Sequence, residues 1–305
     1  MSTAIVMSGG GIRGPLQVGA LQSLLEHGIK PDMLAGTSAG SLNAGFMAAM
    51  GAELSTIPAL QKACKSATKD KVYPGKLISV LARVLDGAEG FFPIDGMRNL
   101  IEQNLPKGIT TFGQCKLPCY LTAVDLCSAR LFLFGEDPSA KLVDGMMASS
   151  LIPVLQPPLY YHDLQLVDGG LLAEVPCSIV MDKGATVIYA INVGRGEEIK
   201  PPAKGIFEIF MRTLDTMVAE SIFVDLKRAD DNPKIELHHI HISEMAELPF
   251  DDFNHIDEMF KVGKQVADAY LDHPRPRAIA PPAERAAVPL QTVPGARQYI
   301  PPHRQ

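Results

Sequence analysis

The chain has 305 residues, 47% hydrophobic and 20% charged, with a formal net charge of −6. This composition supports a sizeable apolar core, and the length admits one large α/β domain or two smaller ones. The acidic balance argues against nucleic acid as a partner and against polybasic anchoring to an anionic bilayer, since both need a surplus of Lys and Arg.

The first predicted element is a short buried strand, Ala4 to Met7, running straight into Ser8-Gly9-Gly10-Gly11. Pro15 suits the first turn of a helix whose apolar face is Leu16, Ala20, Leu21, Leu24 and Leu25, and which Gly28 closes. A second strand is expected over Asp32 to Ala35, followed by Gly36-Thr37-Ser38-Ala39-Gly40 and a helix of small residues through Met50. Glu53 to Leu105 reads as helical, broken at Pro74-Gly75 and at Phe91-Phe92-Pro93. Two strands, Cys119 to Leu126 and Arg130 to Phe134, precede a helix over Ser139 to Ser149 and a Pro-rich loop over Leu151 to Tyr161. Leu164 to Val167 reads as a strand ending in Asp168-Gly169-Gly170. The rest gives a buried strand, Thr186 to Val193, a long helix, Lys204 to Arg228, a strand, Ile235 to Ile242, and a helix, His255 to Leu271.

Strands interleaved with helices imply an α/β fold, a three-layer sandwich whose mostly parallel sheet is covered on both faces. We expect one domain over 1–272, with a helical insertion at about 53–111, and a Pro-rich tail over 273–305. There is no internal repeat. The cysteines at 64, 115, 119, 127 and 177 form no C-x-x-C pair, so reduced thiols are expected rather than a zinc cluster or disulfide framework. No basic n-region with an apolar h-region opens the chain, and no apolar run reaches the ~18 residues that span a bilayer. A cytoplasmic location is therefore expected.

Gly36-x-Ser38-x-Gly40 matches the nucleophile-elbow pattern, in which flanking glycines relieve crowding around a strained serine at a helix N-terminus. Alone the match is weak, because ordinary Gly and Ser frequencies produce it in roughly one chain of this length in ten. The bland alternative is a tight strand–helix turn with an N-cap serine. The strand before and helix after are the context the motif requires.

Gly9-Gly10-Gly11-Ile12-Arg13-Gly14 also satisfies G-x-G-x-x-G, so a dinucleotide site must be weighed. Such a site wants an acid at the end of the second strand, whereas Asp32 stands at its start. An oxyanion hole explains both glycine loops together: neighbouring parallel strands end at one sheet edge, where Gly9, Gly10 and Gly11 amides would meet an ester carbonyl under attack by Ser38. Arg13 fits either a head-group contact or a structural ion pair.

Ser38 needs a base. A Ser–His–Asp triad of Ser38, Asp168 and either His238 or His255 is one option, as in an α/β-hydrolase esterase, but there the elbow follows several strands rather than two. His239 and His241 fall on one strand face, and no third ligand makes them a metal site. Asp168, ending an apolar strand, is the better candidate, against the alternative of a plain Asp-Gly turn.

Taken together, the Gly9–Gly14 loop, the Gly36–Gly40 elbow, the segment Ala148-Ser149-Ser150-Leu151-Ile152-Pro153 with Pro157-Pro158, and the Asp168-Gly169-Gly170 turn resemble the patatin-like phospholipase family, in order and spacing, from about residue 4 to about 270. The resemblance implies a Ser38–Asp168 dyad without histidine, an oxyanion hole from Gly9, Gly10 and Gly11, and hydrolysis of fatty-acyl esters of phospholipids, lysophospholipids or neutral lipids without metal or other cofactor. Burial should then raise the Asp168 pKa toward neutrality. Lipid substrates imply an apolar pocket and transient, peripheral membrane contact. Phe91, Phe92, Phe207, Phe210, Met211 and Met217 are candidates to border it, although a place in the core explains them more simply. A lipid-binding protein that keeps the fold without catalysis is the remaining alternative.

Overall fold

The computed structural model describes residues 1–75, 83, 85–194 and 201–276. Most of the expected Pro-rich tail, and part of the predicted helical stretch after Pro74, therefore lie outside the described residues.

An eight-stranded sheet forms the middle layer. In chain order its strands are β1 (Thr3–Met7), β2 (Met33–Gly36), β3 (Cys119–Asp125), β4 (Arg130–Phe134), β5 (Leu159–Tyr161), β6 (Leu164–Asp168), β7 (Val187–Asn192) and β8 (Glu236–His241). β1 lies at the centre, parallel to β2 on one side and β7 on the other, and β3 and β8 extend this parallel set outward. On the β3 flank the sheet turns antiparallel: β4 and β6 both run against β3, and β5 against β6. The expected mostly parallel sheet is thus a parallel centre with an antiparallel flank.

Alternation along the strands feeds two cores. Ile5 and Met7 of β1 join Leu34 and Ile191 in the larger cluster, under α1 (Gly14–Glu26), α2 (Ala39–Met50) and α9 (Ile256–Asp272). Ala4, Val6 and Ile188 face the opposite way, beneath α7 (Cys177–Asp182) and α8 (Ile206–Asp230). The remaining helices, α3 (Ile57–Ser66), α4 (Lys69–Val72), α5 (Asp95–Asn104) and α6 (Leu142–Ser150), complete the larger side. Three layers result, as the sequence pattern implies.

One strand falls where a loop is expected. Pro157-Pro158 masks the β tendency of Tyr160 and Tyr161, yet these residues pair with Gln165 and Leu164 around a tight turn at His162, which adopts φ 52°. A tertiary edge, rather than local preference, makes β5 a strand.

α1 and α9 cross with their backbones in contact, because a side chain on Gly19 would run into the Phe260 carbonyl and one on Gly263 into the Leu16 carbonyl. Gly263→Val should therefore force the pair apart, costing about 1–3 kcal/mol, and thermal unfolding should show a lower Tm.

Candidate active site

Ser38 stands between β2 and α2 with φ 53° and ψ −124°, a conformation that costs a non-glycine residue about 1–3 kcal/mol. Neighbouring hydroxyls hold it there. The Ser38 amide donates to Ser149 Oγ at 2.9 Å, and the Ser38 carbonyl accepts from Ser41 Oγ at 2.6 Å and Ser150 Oγ at 3.2 Å. The flanking glycines are required by close approach. A Cβ on Gly36 would meet the Gly40 carbonyl, and one on Gly40 would meet the Met7 carbonyl at the end of β1. The elbow therefore presses against the first glycine loop.

That loop is fixed by buried polar groups. Gln17 Nε2 donates to the Ser8 carbonyl at 2.7 Å, and Asn43 Nδ2 donates to the Gly14 carbonyl at 3.0 Å and to Gln17 Oε1 at 2.8 Å. Gly14 brings α1 onto α2, a Cβ there falling 3.3 Å from that of Ala39. The Gly9 amide is committed elsewhere, donating to the Glu174 carbonyl at 3.2 Å. The Gly10 and Gly11 amides donate to no protein group among the described residues. Gly11, at φ 57°, borders the pocket beside Ser38 and faces open space. The dinucleotide alternative loses its acid: Asp32 accepts from the Thr3 amide at 2.8 Å, at the far end of both strands.

Asp168 reaches the elbow by an unexpected route. β3 pairs with β4 over its Leu121–Asp125 stretch, so one edge there is occupied. β2 pairs with β3 over Cys119–Leu121 and β6 over Ala123–Asp125, so both share the other edge, and β6 runs toward the end of β2. Gly36 stands opposite Leu121 and Asp168 opposite Ala123, which brings Asp168 level with Ser38. The two glycine loops do follow neighbouring parallel strands, β1 and β2, whereas β6 arrives antiparallel to β3 and head-on to β2. The Thr37 and Thr122 hydroxyls, 2.6 Å apart, tie the elbow to the β3 backbone, and Thr37 Oγ1 also donates to the Ala173 carbonyl at 2.6 Å. The Asp168 amide donates to the Leu151 carbonyl at 2.9 Å, which explains why the Ser149–Leu151 segment touches both residues.

Ser38 and Asp168 are each only 7% exposed. Asp168 Oδ1 accepts the Gly170 amide at 2.8 Å, while Gly169 packs on the Thr122 hydroxyl. Burial pushes the Asp168 carboxyl up to about 6, against the opposing pull of hydrogen bonds from the Ser38 side chain and the Gly170 amide. A second buried pair shows that these features alone do not make a site. Ser178 Oγ donates to Asp225 at 2.6 Å, and burial raises Asp225 to about 6 as well, but that pair lies between α7 and α8 without an elbow or pocket.

His238 and His255, weighed as triad members, and the pair His239 and His241 are engaged elsewhere. His238 is buried on β8, stacked on Tyr189 at 4.3 Å and bonded to Glu236 and the Tyr270 hydroxyl. His239 and His241 stack on one face as expected, next to Asn192 and the Gly194 carbonyl. His255 caps α9, 3.2 Å from Glu258. No group of three or more His, Cys, Asp or Glu among the described residues is placed to hold a metal ion.

Beside Ser38 opens an apolar pocket of about 130 Å³, walled by Ile12, Leu42 and Phe46 on one side and by Tyr73, Met97 and Ile101 on the other. The second group belongs to the predicted insertion. Phe91, Phe92, Phe207, Phe210, Met211 and Met217 neither line this pocket nor enter the core, since none is buried. Three of them join a rim of rings: Phe92 packs on Tyr73 at 5.3 Å, Phe207 on Phe91 at 5.9 Å and on Phe250 at 6.4 Å, and Phe250 on Tyr73 at 5.3 Å.

Sequence reading missed Glu174, which is buried between Gly9 of the first glycine loop and Gly170 of the aspartate turn, with Asp168 and Arg13 acting on its charge. Its signal was an acid inside an otherwise apolar run, Leu171-Leu172-Ala173-Glu174-Val175. Arg13 is itself buried, its charge drawing the Glu174 carboxyl down.

The patatin-like phospholipase family model matches residues 5–181, more than half of the chain. Lysophospholipase NTE1 of Mycosarcoma maydis is 26% identical over 211 residues, covering 67% of this chain and 10% of that protein. Patatin-like phospholipase domain-containing protein 7 of Rattus norvegicus is 29% identical over 201 residues, covering 64% of this chain and 14% of that protein. The chain therefore spans only a small fraction of the length of these curated relatives. Among solved structures, VipD from Legionella pneumophila superimposes with a TM-score of 0.47 at 14% identity, over 89% of this chain and 66% of that one. Human GIVD cytosolic phospholipase A2 in complex with methyl gamma-linolenyl fluorophosphonate gives 0.41 at 12% identity, over 88% and 58%.

Burying the Asp168 carboxylate has a measurable consequence. Its folded pKa of about 6 exceeds the ordinary 3.8, so the native state binds the proton more tightly and loses stability as pH rises from about 4 to about 6. Asp168→Asn should remove that loss. Denaturant unfolding should find the variant more stable by on the order of 2–3 kcal/mol near neutral pH and no more stable below about pH 4.

Proposed function

The chain belongs to the patatin-like phospholipase family, and on that premise we propose that it is a serine acyl hydrolase that cleaves fatty-acyl esters of phospholipids or lysophospholipids, with Ser38 as nucleophile and Asp168 as base. The observation that carries this reading is the Asp168 carboxyl, buried with a raised pKa and hydrogen-bonded by the side chain of a serine on a strained elbow, at the mouth of an apolar pocket.

In this mechanism the acyl chain enters the pocket and the ester carbon lies over Ser38. Asp168 takes the hydroxyl proton as Ser38 attacks, and returns it to the leaving alcohol. The Gly10 and Gly11 amides receive the developing oxyanion, one such donor being worth about 3 kcal/mol. Water then enters, gives a proton to Asp168 as it attacks the acyl carbon, the bond to Ser38 Oγ breaks, and Asp168 returns the proton to Ser38 as the fatty acid leaves. A carboxylate with pKa about 6 is a stronger base than an ordinary aspartate and still ionised at neutral pH. The engaged histidines weigh against a Ser–His–Asp esterase, and the open amides of Gly10 and Gly11 weigh against a lipid-binding protein without catalysis.

Ser38→Ala and Asp168→Asn should each reduce fatty-acid release from lysophospholipid by about 10³-fold or more, with fluorophosphonate labelling lost in the first. Full activity in either variant overturns the reading. Because the base must be ionised, kcat/KM should rise with pH through about 6.

Substrate would be met at a lipid surface. The first half of α8 contains no buried residue, and Ile206, Phe207, Ile209 and Met217 are exposed beside the ring contacts that lead to Tyr73. Among the described residues no helix is long and apolar enough to cross a membrane, so this rim supports peripheral, transient contact. Phe207→Glu with Ile209→Glu should lower hydrolysis of vesicle-embedded substrate by about 10²-fold or more, since burying two apolar side chains is worth about 3 kcal/mol or more. Turnover of a soluble short-chain ester should change far less.

A further inference from the structure

Glu174 takes no part in the mechanism above, yet it is packed against both halves of it. Its carboxylate oxygens lie 2.5 Å from where a Cβ on Gly9 would be, and one of them occupies the space that a Cβ on Gly170 would need. The Glu174 carbonyl accepts the Gly9 amide, and its own amide donates to Ser221 Oγ of α8 at 2.9 Å. The side chain is 94% buried by the complement of its 6% exposure, and among the described residues no protein group hydrogen-bonds its carboxyl oxygens. A carboxylate in that position lacks the donors that ordinarily compensate a buried negative charge.

We propose that Glu174 is a positioning residue of this site: its neutral carboxyl fills the gap between Gly9 of the glycine loop and Gly170 of the aspartate turn, and its ionisation sets a negative charge between the loop that leads to the oxyanion amides and the catalytic aspartate and turns the enzyme off. The inference rests on the reading of Gly10 and Gly11 as oxyanion donors. Among the described residues three charged groups act on Glu174: Asp168 at the end of β6, Arg13 before α1 and Asp215 on α8. Burial and the Asp168 charge favour the protonated form, Arg13 opposes them and Asp215 adds to them. Asp168 has two hydrogen-bond donors, the Gly170 amide and the Ser38 side chain, and Glu174 has none among the described residues, so the charge is placed on Asp168 and the proton on Glu174. Loss of the second proton to solvent at higher pH places like charge where the oxyanion must form.

The test is the pH profile of kcat/KM for a soluble ester from about pH 5 to about pH 10 in wild type and Glu174→Gln, each normalised to its own value near pH 7. Wild type should fall about tenfold or more on the alkaline side. Glu174→Gln, which keeps the shape and cannot ionise, should stay level there while retaining the acid limb near 6. Infrared difference spectra should show a protonated carboxyl band that disappears in Glu174→Gln and bleaches over the pH range in which wild-type activity falls. An unchanged alkaline limb in the variant, a uniform loss at every pH, or no band attributable to Glu174 overturns the proposal. Ser38→Ala separates the two ideas, because activity in that variant overturns the underlying reading instead.

Discussion

A β-strand offers hydrogen bonds along two edges only, and the site depends on how those of β3 are divided. β4 takes one edge, and β2 uses the other for three residues before turning away at the elbow. The vacated length is taken by β6, running in the opposite sense, so the ends of two strands face each other across a short gap. Ser38 leaves one end and Asp168 the other. The gap is closed by the Thr37–Thr122 contact, by Gly169 packed on Thr122, and by Ser149 and Ser150 reaching the elbow backbone. Displacing any of these would shift the pair relative to one another, since backbone hydrogen bonds on β3 set the register of both strands.

Holding the pair in that gap is unfavourable for both members. Ser38 sits in a strained backbone conformation, and Asp168 loses its hydration without gaining a cation. Strain and desolvation of this kind persist only where the surroundings over-determine them. Two cores, one on each face of the sheet, supply that constraint. The buried Ser178–Asp225 pair makes the same point from the other side, since it has a raised carboxyl pKa but neither a strained serine nor an opening to substrate. What distinguishes the Ser38 site is the conjunction of strain, free amides and an apolar pocket at one place.

The pocket joins two parts of the chain with different histories in the sequence. Its floor, Ser38, Leu42 and Phe46, belongs to the elbow and α2, whereas Tyr73 follows α4 and Met97 and Ile101 belong to α5. The rings outside it continue from Tyr73 through Phe250 to Phe207, so the apolar lining runs outward into an exposed rim on α8 without interruption. An apolar chain drawn from a bilayer would keep apolar contact along this path, which limits the cost of exposing it to water.

Local sequence determined the elements and the elbow. The apolar run Ala4 to Met7, the glycines at 36 and 40 and the apolar run before Asp168 each record a constraint imposed within a few residues, such as a turn, a close backbone approach or a buried strand. The raised pKa of Asp168 was likewise foreseeable once it was placed in an apolar setting. Tertiary structure alone decided the rest: the antiparallel entry of β6, the pairing that makes β5 a strand, the commitment of the Gly9 amide to Glu174, and the wedge that Glu174 forms. The Gly9–Glu174 contacts join residues more than a hundred positions apart, the entry of β6 depends on which edge of β3 is already occupied, and β5 pairs because β6 offers it an open edge. Hydrophobic period and turn chemistry encode which faces are buried, but carry no record of which strand reaches an open edge first.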